Sequence, residues 1–506
     1  MSSIGSPSPF LIAGKKSLTV SRSLRFNDDD SPYLNRTPSS TSNRKTFTIS
    51  WWFKIGNIPA SGTYKAFFGA YDNSTSGNNG YWLSSIFDAD GRLYMGAWTL
   101  NWRRTTRQFR DPSAWYHCIF AVDTTQSTAA DRIKIYVNGV EETSFNQYNN
   151  PSQNFDLPWN FSSVMQTIGR VNYIAGGSSP YSFDGYIAEF NSIDGLQLTP
   201  SSFGETNPVT GQWIPKKYTG SYGTNGFYLN FLDNSGTTAT TLGKDYSGNG
   251  NNFTPNNFSV AAGAGNDSLE DTPTNNFCTL NLLSLGGTFS NGNLDHVTST
   301  SSGRRFLGTF GVSSGKWYWE TTVNNLAAGL LIGIGDATDY SNGNTFLGNS
   351  SGVYGWYSFS STSLKYYNGS NASYGTAFTA SQTIGLALDL DSGTLTFYAN
   401  DGSSVGVLQS SLPSATYYPV FADGSASNTS SVSVNFGQRE FTHSIPTGHK
   451  PLNSANLPDP TIKLPNKHFD NLLWTGNATS RSITGLNFQP DWVWTKNRTG
   501  SYNHGS

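Results

Sequence analysis

The chain has 506 residues, a net charge of −2, 13% charged and 14% aromatic residues, 53 glycines and two cysteines. A near-neutral balance without a basic cluster excludes a phosphate-backbone footprint, and so nucleic acid as a partner. Two distant cysteines exclude a disulfide scaffold, and the lack of any apolar run near 20 residues excludes membrane insertion through a helix.

Seven glutamates against 26 aspartates, with abundant Gly, Asn, Ser and Thr, favour short strands and tight turns over amphipathic helices. Residues 1–21 are Ser/Pro-rich and then basic, and read as an extended arm. Its apolar patch, Pro9-Phe10-Leu11-Ile12-Ala13, is too short for a signal peptide, which points to synthesis in a reducing cytoplasm. Over residues 22–202 strand-like runs recur at Phe47–Lys54, Lys65–Tyr71, Tyr81–Ile86, Arg92–Ala97, Tyr116–Val122 and Ile133–Val137. The last ends in Asn138-Gly139, a hairpin turn pair. Alternation over runs this short predicts an antiparallel sandwich. Residues 203–285 are less regular and read as a connector in which one strand returns to a sheet.

A second set of strands is predicted over residues 286–446, at Gly315–Glu320, Leu331–Gly335, Val353–Tyr357, Ile384–Asp391, Gly393–Tyr398, Tyr418–Phe421 and Val432–Gly437. A Pro-rich linker covers 447–469. Residues 470–506, with Trp492 and Trp494, begin a further β module that cannot close a sheet by itself. The predicted fold class is all-β: two tandem antiparallel β-sandwiches with irregular connectors, folding as separate cores across which few contacts run.

Two of these patterns are similar to known families. Ser50-Trp51-Trp52-Phe53, Trp115-Tyr116-His117, Tyr136-Val137-Asn138-Gly139, Thr167-Ile168-Gly169-Arg170 and Asp184 to Glu189, in that order, resemble the laminin-G-like, concanavalin A-like jelly roll. In that frame Trp115 is a core residue. Gly315-Lys316-Trp317-Tyr318-Trp319-Glu320 and the hairpin closing at Ala399-Asn400-Asp401-Gly402 resemble the SPRY domain. Phrases such as Trp213-Ile214-Pro215-Lys216-Lys217-Tyr218 and Asp245 to Phe253 resemble structural proteins of marine tailed bacteriophages.

A catalytic jelly roll needs two carboxylates on one strand face. Glu141 and Glu142 point to opposite faces, and Glu189 with Asp184 and Asp194 belongs to a structural motif, so no catalytic residue is expected. Sugar rings stack on aromatic faces while Asn, Asp and Arg bond their hydroxyls. Tyr71, Asp72, Trp98, Trp102 and Arg103 are therefore candidate ligand contacts in the first sandwich. In the second, the SPRY resemblance implies binding through end loops, with Tyr366, Tyr367 and Tyr374 as candidates. Asp28, Asp29 and Asp30 offer oxygen ligands for Ca2+, as the jelly-roll resemblance implies, with a solvated acidic turn the preferred reading. The six histidines show no ligand spacing, and no other cofactor is expected.

The functional expectation is a non-catalytic phage virion surface protein, a tail-fibre or adhesin-like component. Host-surface glycan or protein, other virion proteins and copies of itself in a trimer are its expected partners. It would sit on the virion exterior, by tail or capsid. A decoration protein of mainly structural role and a depolymerase with accessory binding domains are the alternatives.

Overall fold

The computed structural model describes residues 18–59, 63–71, 82–97, 100–171, 181–284, 287–300, 305–336, 351–424, 428–458 and 461–497. The first sandwich is built from β1 (Ser23–Phe26), β2 (Tyr33–Arg36), β3 (Thr46–Ile55), β4 (Tyr64–Tyr71), β5 (Trp82–Asp88), β6 (Arg92–Ala97), β7 (Leu100–Gln108), β8 (Tyr116–Asp123), β9 (Ile133–Val137), β10 (Val140–Glu141), β11 (Phe145–Tyr148), β12 (Gln166–Ile168), β13 (Arg170–Val171), β14 (Tyr181–Ser182) and β15 (Gly185–Asp194). The segment after it contributes β16 (Gly204–Thr206), β17 (Trp213–Pro215), β18 (Phe227–Leu229), β19 (Thr254–Asn256) and β20 (Ser268–Leu269). One sheet has the order β10-β9-β8-β3-β15-β1-β20, with β18 also on β15; the facing sheet has the order β11-β7-β6-β5-β4-β12-β2-β19.

Period-2 alternation decides which side chains meet between the sheets. In β3, Phe47, Ile49, Trp51 and Phe53 enter the core and meet Phe67 and Phe68 of β4, with Trp51 edge-on to Phe68 at 5.2 Å and Phe53 against Phe67 at 4.6 Å. Each such ring, fully buried, stabilises by about 1.5–3 kcal/mol before entropy is charged.

The second sandwich comprises β21 (Thr288–Ser290), β22 (Asp295–Val297), β23 (Arg305–Leu307), β24 (Lys316–Leu326), β25 (Leu330–Asp336), β26 (Val353–Phe359), β27 (Thr362–Tyr367), β28 (Ser370–Ser373), β29 (Thr383–Asp389), β30 (Thr394–Tyr398), β31 (Ser404–Gln409), β32 (Tyr417–Asp423), β33 (Ser430–Asn435) and β34 (Lys450–Pro451). Its sheets run β21-β22-β33-β24-β29-β30-β31, with β34 parallel on β24, and β23-β32-β25-β26-β27-β28. Trp317, Trp319, Trp356, Leu386 and Phe421 fill its core.

Residues 203–285, expected to be an irregular connector with one strand returning to a sheet, are built into both halves, and three of their strands return: β18 to β15, β19 to β2 and β20 to β1. Phe227, Leu229, Phe231, Leu242, Phe253 and Phe258 lie in the first core. Further along, Glu270 N–H donates to Gln438 O and Cys278 N–H to Leu452 O, while Tyr186 of β15 packs with the second core and donates its hydroxyl to Gly292 O at 2.6 Å. Lys54, fully buried on the outer side of β3, donates to Asp271 Oδ2 and Asn276 Oδ1 at 2.8 Å and to Phe277 O at 3.0 Å. Trp115 departs from its expected place in the first core: its indole N–H bonds Asp271 Oδ1 at 2.9 Å, and its ring packs beside Tyr186 at the joint.

Residues 469–497 contain no named strand, and Phe469, Leu473, Trp474, Trp492, Val493 and Trp494 stand exposed there, with the Trp492 and Trp494 rings stacked at 6.5 Å. Among the described residues no helix is long and apolar enough to cross a membrane.

Candidate functional site

Strand pairing brings part of the predicted contact group together. Tyr71 opposes Trp82, Ser84 opposes Gly96 and Ala97 opposes Leu100, so the end of β4, the start of β5 and the β6–β7 hairpin share one end of the sheet. Tyr71 closes β4 and Trp102 lies near the start of β7, while Asp72 and Trp98 lie outside the described residues. Arg103 is buried. It donates to Asn150 Oδ1 at 2.5 Å and to Asn149 O, and its guanidinium lies 3.7 Å over the Tyr148 ring, so it clamps the edge strand β11 to β7. Burial lowers its pKa from the ordinary arginine value.

The three tyrosines of the second sandwich do not converge. Tyr366 joins the cluster on the outer face of its sheet, with its ring 5.9 Å from Tyr357, whereas Tyr367 packs on the core side. Tyr374 stands edge-on to Trp356 at 5.6 Å and donates its hydroxyl to Gly406 O.

The acidic turn 28–30 does not fit a calcium ion. Asp28 is bonded to the ammonium of Lys65, which supplies the positive charge a cation would bring, and Asp30 Oδ2 accepts from Asn27 Nδ2 at 2.9 Å. Asp184 lies buried nearby and accepts from Asn57 Nδ2 at 2.6 Å; burial and then Asp28 push its pKa well above the ordinary carboxyl value. No group of three or more His, Cys, Asp or Glu side chains able to hold a metal occurs among the described residues.

Two groups on the first sandwich that resemble catalytic apparatus are covered. On the outer face of β3, Ser50 Oγ lies 2.8 Å from His117 Nε2, and Trp213 Nε1 lies 2.9 Å from His117 Nδ1. An indole N–H can only donate, so Nδ1 is the acceptor and the ring proton resides on Nε2, directed at Ser50. That tautomer cannot take a proton from the serine, and burial drives the imidazole pKa down to about 3. Glu189 sits at the β3–β15 bulge with φ +50°, accepts the Tyr228 hydroxyl at 2.5 Å, and has its pKa raised by burial to about 7. Residues 200–230 roof this face: Phe203, Tyr222 and Tyr228 cover Ile119, Ala121 and Ile193, while Trp213 lies over His117, which stacks in turn on Trp52.

Sequence reasoning did not find the polar network at Asp194. Its Oδ1 accepts from Asn43 N–H at 3.1 Å, Asn43 Nδ2 at 3.0 Å and Asn160 Nδ2 at 3.3 Å, and its Oδ2 from Asn225 N–H at 2.9 Å. Arg36 joins the same group through Asn225 Oδ1 and Asn251 Oδ1. The asparagine richness was visible, but its convergence depends on four separate segments.

Three family patterns match the chain: the concanavalin A-like lectin/glucanases superfamily (Laminin_G_3) over residues 28–201, the SPRY domain over 316–439, and a domain of unknown function (DUF7483) over 464–506. No curated protein matches. Among solved structures, the SPRY domain of human HERC1 is 20% identical over 28% of this chain and 87% of that chain, with a TM-score of 0.24. The PSpry domain of TRIM65 is 16% identical over 31% of this chain and 92% of that one, at 0.26. The stonustoxin structure is 20% identical over 31% of this chain and 27% of that one, also at 0.26. The chain therefore carries a concanavalin A-like, laminin-G-type domain followed in tandem by a SPRY domain, two β-sandwiches of the kind typical of binding and adhesion modules.

Proposed function

We propose that this protein is a non-catalytic adhesion component on the exterior of a tailed-phage virion, holding a host-surface glycan or protein through its sandwiches. The observation that carries the non-catalytic part is the roof. Its Trp213 fixes His117 in the wrong tautomer for a serine pair, and Tyr228 covers Glu189, the carboxylate on that sheet held near neutrality. The virion assignment is supported by the Asn/Gly/Ser/Thr-rich composition, by two cysteines that are both buried and free, and by the resemblance of the 203–285 phrases to phage structural proteins. A trimeric assembly is supported by the exposed Phe469, Leu473, Trp474 and Trp492–Trp494 run, since exposed apolar surface of this kind marks an association site.

Mass spectrometry of purified particles and immunogold labelling test the location, with the protein expected on the particle exterior. Light scattering at micromolar concentration tests the assembly, with a mass near three chains expected. Adsorption of the purified protein to host cells, together with reducing-end assays on bacterial polysaccharides, tests the mode of action: retention without turnover is expected.

A further inference from the structure

We propose that Lys54 and Asn276 join in an intramolecular amide bond, formed by the protein itself with Asp271 carrying the proton, so that a covalent side-chain link ties the first sandwich to the entry of the second. This goes beyond the adhesion reading above and does not depend on it.

The alternation of β3 decides the placement. Phe53 and Ile55 enter the first core, so Lys54 between them points out of the opposite face, toward the segment that leads into the second sandwich. There it is closed from water: neither its side chain nor that of Asp271 has any exposed surface. Nζ meets three oxygens, Asp271 Oδ2 and Asn276 Oδ1 at 2.8 Å and Phe277 O at 3.0 Å. A buried amine therefore touches a carboxylate and a side-chain amide together, and the amide carbon is one bond beyond the oxygen it touches.

The orientation of that amide is fixed from its other end. Asn276 Nδ2 donates to Ser113 O at 2.7 Å, and a carbonyl can only accept, so the amide nitrogen faces Ser113 and the amide oxygen faces Lys54. The Asn276 backbone N–H donates to Ser454 Oγ at 2.8 Å, which holds the residue from a further segment. Asp271 is held as firmly: its Oδ1 accepts the Trp115 indole N–H at 2.9 Å and the Phe277 N–H at 3.3 Å, leaving Oδ2 to the lysine. The Tyr186 ring lies 5.7 Å from Nζ. Amine, amide and carboxylate are thus assembled by folding alone, the condition under which an otherwise bimolecular step gains most from proximity.

The step balances without a co-reactant. Moving one proton from Nζ to Asp271 Oδ2 across their 2.8 Å bond removes two buried charges at once and leaves a neutral, nucleophilic amine. Rotation about the Cε–Nζ bond turns its lone pair onto Asn276 Cγ, and the Nζ–Cγ bond forms as the carbonyl electrons move to Oδ1. Asp271 gives its proton to Nδ2 and takes one back from Nζ; the Cγ–Nδ2 bond breaks, the carbonyl re-forms and ammonia leaves, carrying off the Asp271 proton as ammonium. Asn276 is only half-buried, which gives the ammonia a way out. One secondary amide then spans positions 222 apart in the chain.

The test is peptide mapping by mass spectrometry of the intact purified protein after denaturation and tryptic digestion. Trypsin does not cut at an acylated lysine, so the expected product is residues 46–65, uncut at Lys54, joined to residues 245–304 and lighter than the two peptides together by one ammonia. Asp271→Asn keeps both reacting side chains but removes the proton carrier, and Asn276→Ala removes the acceptor at a half-buried position. Each should release the two peptides separately, and in a denaturing gel the unaltered chain, with its loop closed, should run ahead of both. Near-UV circular dichroism shows whether each variant is folded. Separate peptides at full mass from the unaltered protein, both fresh and after prolonged storage, overturn the proposal without recourse to any variant. Loss of ammonia without a joined peptide overturns it too, since an asparagine has then cyclised onto the backbone instead. A joined peptide in folded Asp271→Asn overturns the role given to Asp271.

Discussion

Glu189 and His117 lie beneath the same roof and are titrated in opposite senses. The Glu189 pKa is raised from 4.5 to about 7, so its contribution to stability is complete below pH 4.5 and is lost as pH rises through 7. The His117 pKa is lowered from 6.5 to about 3, so its contribution is complete above pH 6.5 and is lost as pH falls through 3. Between 4.5 and 6.5 the two slopes cancel, and these groups should leave stability level across that window. Glu189→Gln removes one slope, so the variant should gain about 3 kcal/mol from pH 4.5 to 6.5, at about 1.4 kcal/mol per pH unit. Urea unfolding at pH 4.5, 5.5 and 6.5 checks this, and parallel pH profiles for both proteins would sink it. At this scale the sequence was only partly legible. Arg103 was read as a ligand contact from its neighbours Trp98 and Trp102, but strand parity turned it inward onto Tyr148. Trp115 is expected in the first core, and it stands half-buried against a segment more than 150 residues later in the chain.

Among the elements, the β16–β17 hairpin is pinned over His117 by Trp213, beside the contact that Phe203 makes with Ile119 and Ile193. Trp213 is wedged between two glycines: a methyl group placed on Gly139 would lie 2.6 Å from its ring, and one on Gly204 would lie 2.3 Å from it. Gly204 carries no positive φ, so Gly204→Ala changes only the space available to the ring. Overpacking of this kind costs typically 1–3 kcal/mol, and here it should displace the indole and free the hairpin. The expected outcome is a red-shifted tryptophan emission and early proteolysis between residues 205 and 218, with the rest of the chain resistant. Emission and cleavage matching the parent protein would show that the hairpin is held by other means. Long alternating strands such as β3, β24 and β29 were legible because seven or more residues repeat the same period. One returning strand is expected within 203–285, and β18 on β15 is one; that β19 and β20 return as well was not legible, since each is only two or three residues among turn formers and its partner, β2 or β1, lies more than 200 positions upstream.

For the whole molecule, the two recognised patterns marked where the cores lie but not what joins them. A chain cut at residue 202 lacks the six aromatic and leucine side chains that 203–258 add to the first core, and it should bind hydrophobic dyes and lack a cooperative melt. A chain cut at 458 should melt like the full one; equal melts for both truncations would contradict this account. Lys54→Ala leaves Asp271 buried without its cation, a loss of about 3–5 kcal/mol. Calorimetry should show a single transition moving down as a unit, and a split into two peaks would mean that the halves unfold independently. The joint formed by Lys54, Trp115 and Tyr186 has one more consequence. Two sandwiches locked at a set spacing act as a caliper: a partner that engaged both at once would have to match the distance between them, and one that did not could engage only one and would lose the gain from the second contact.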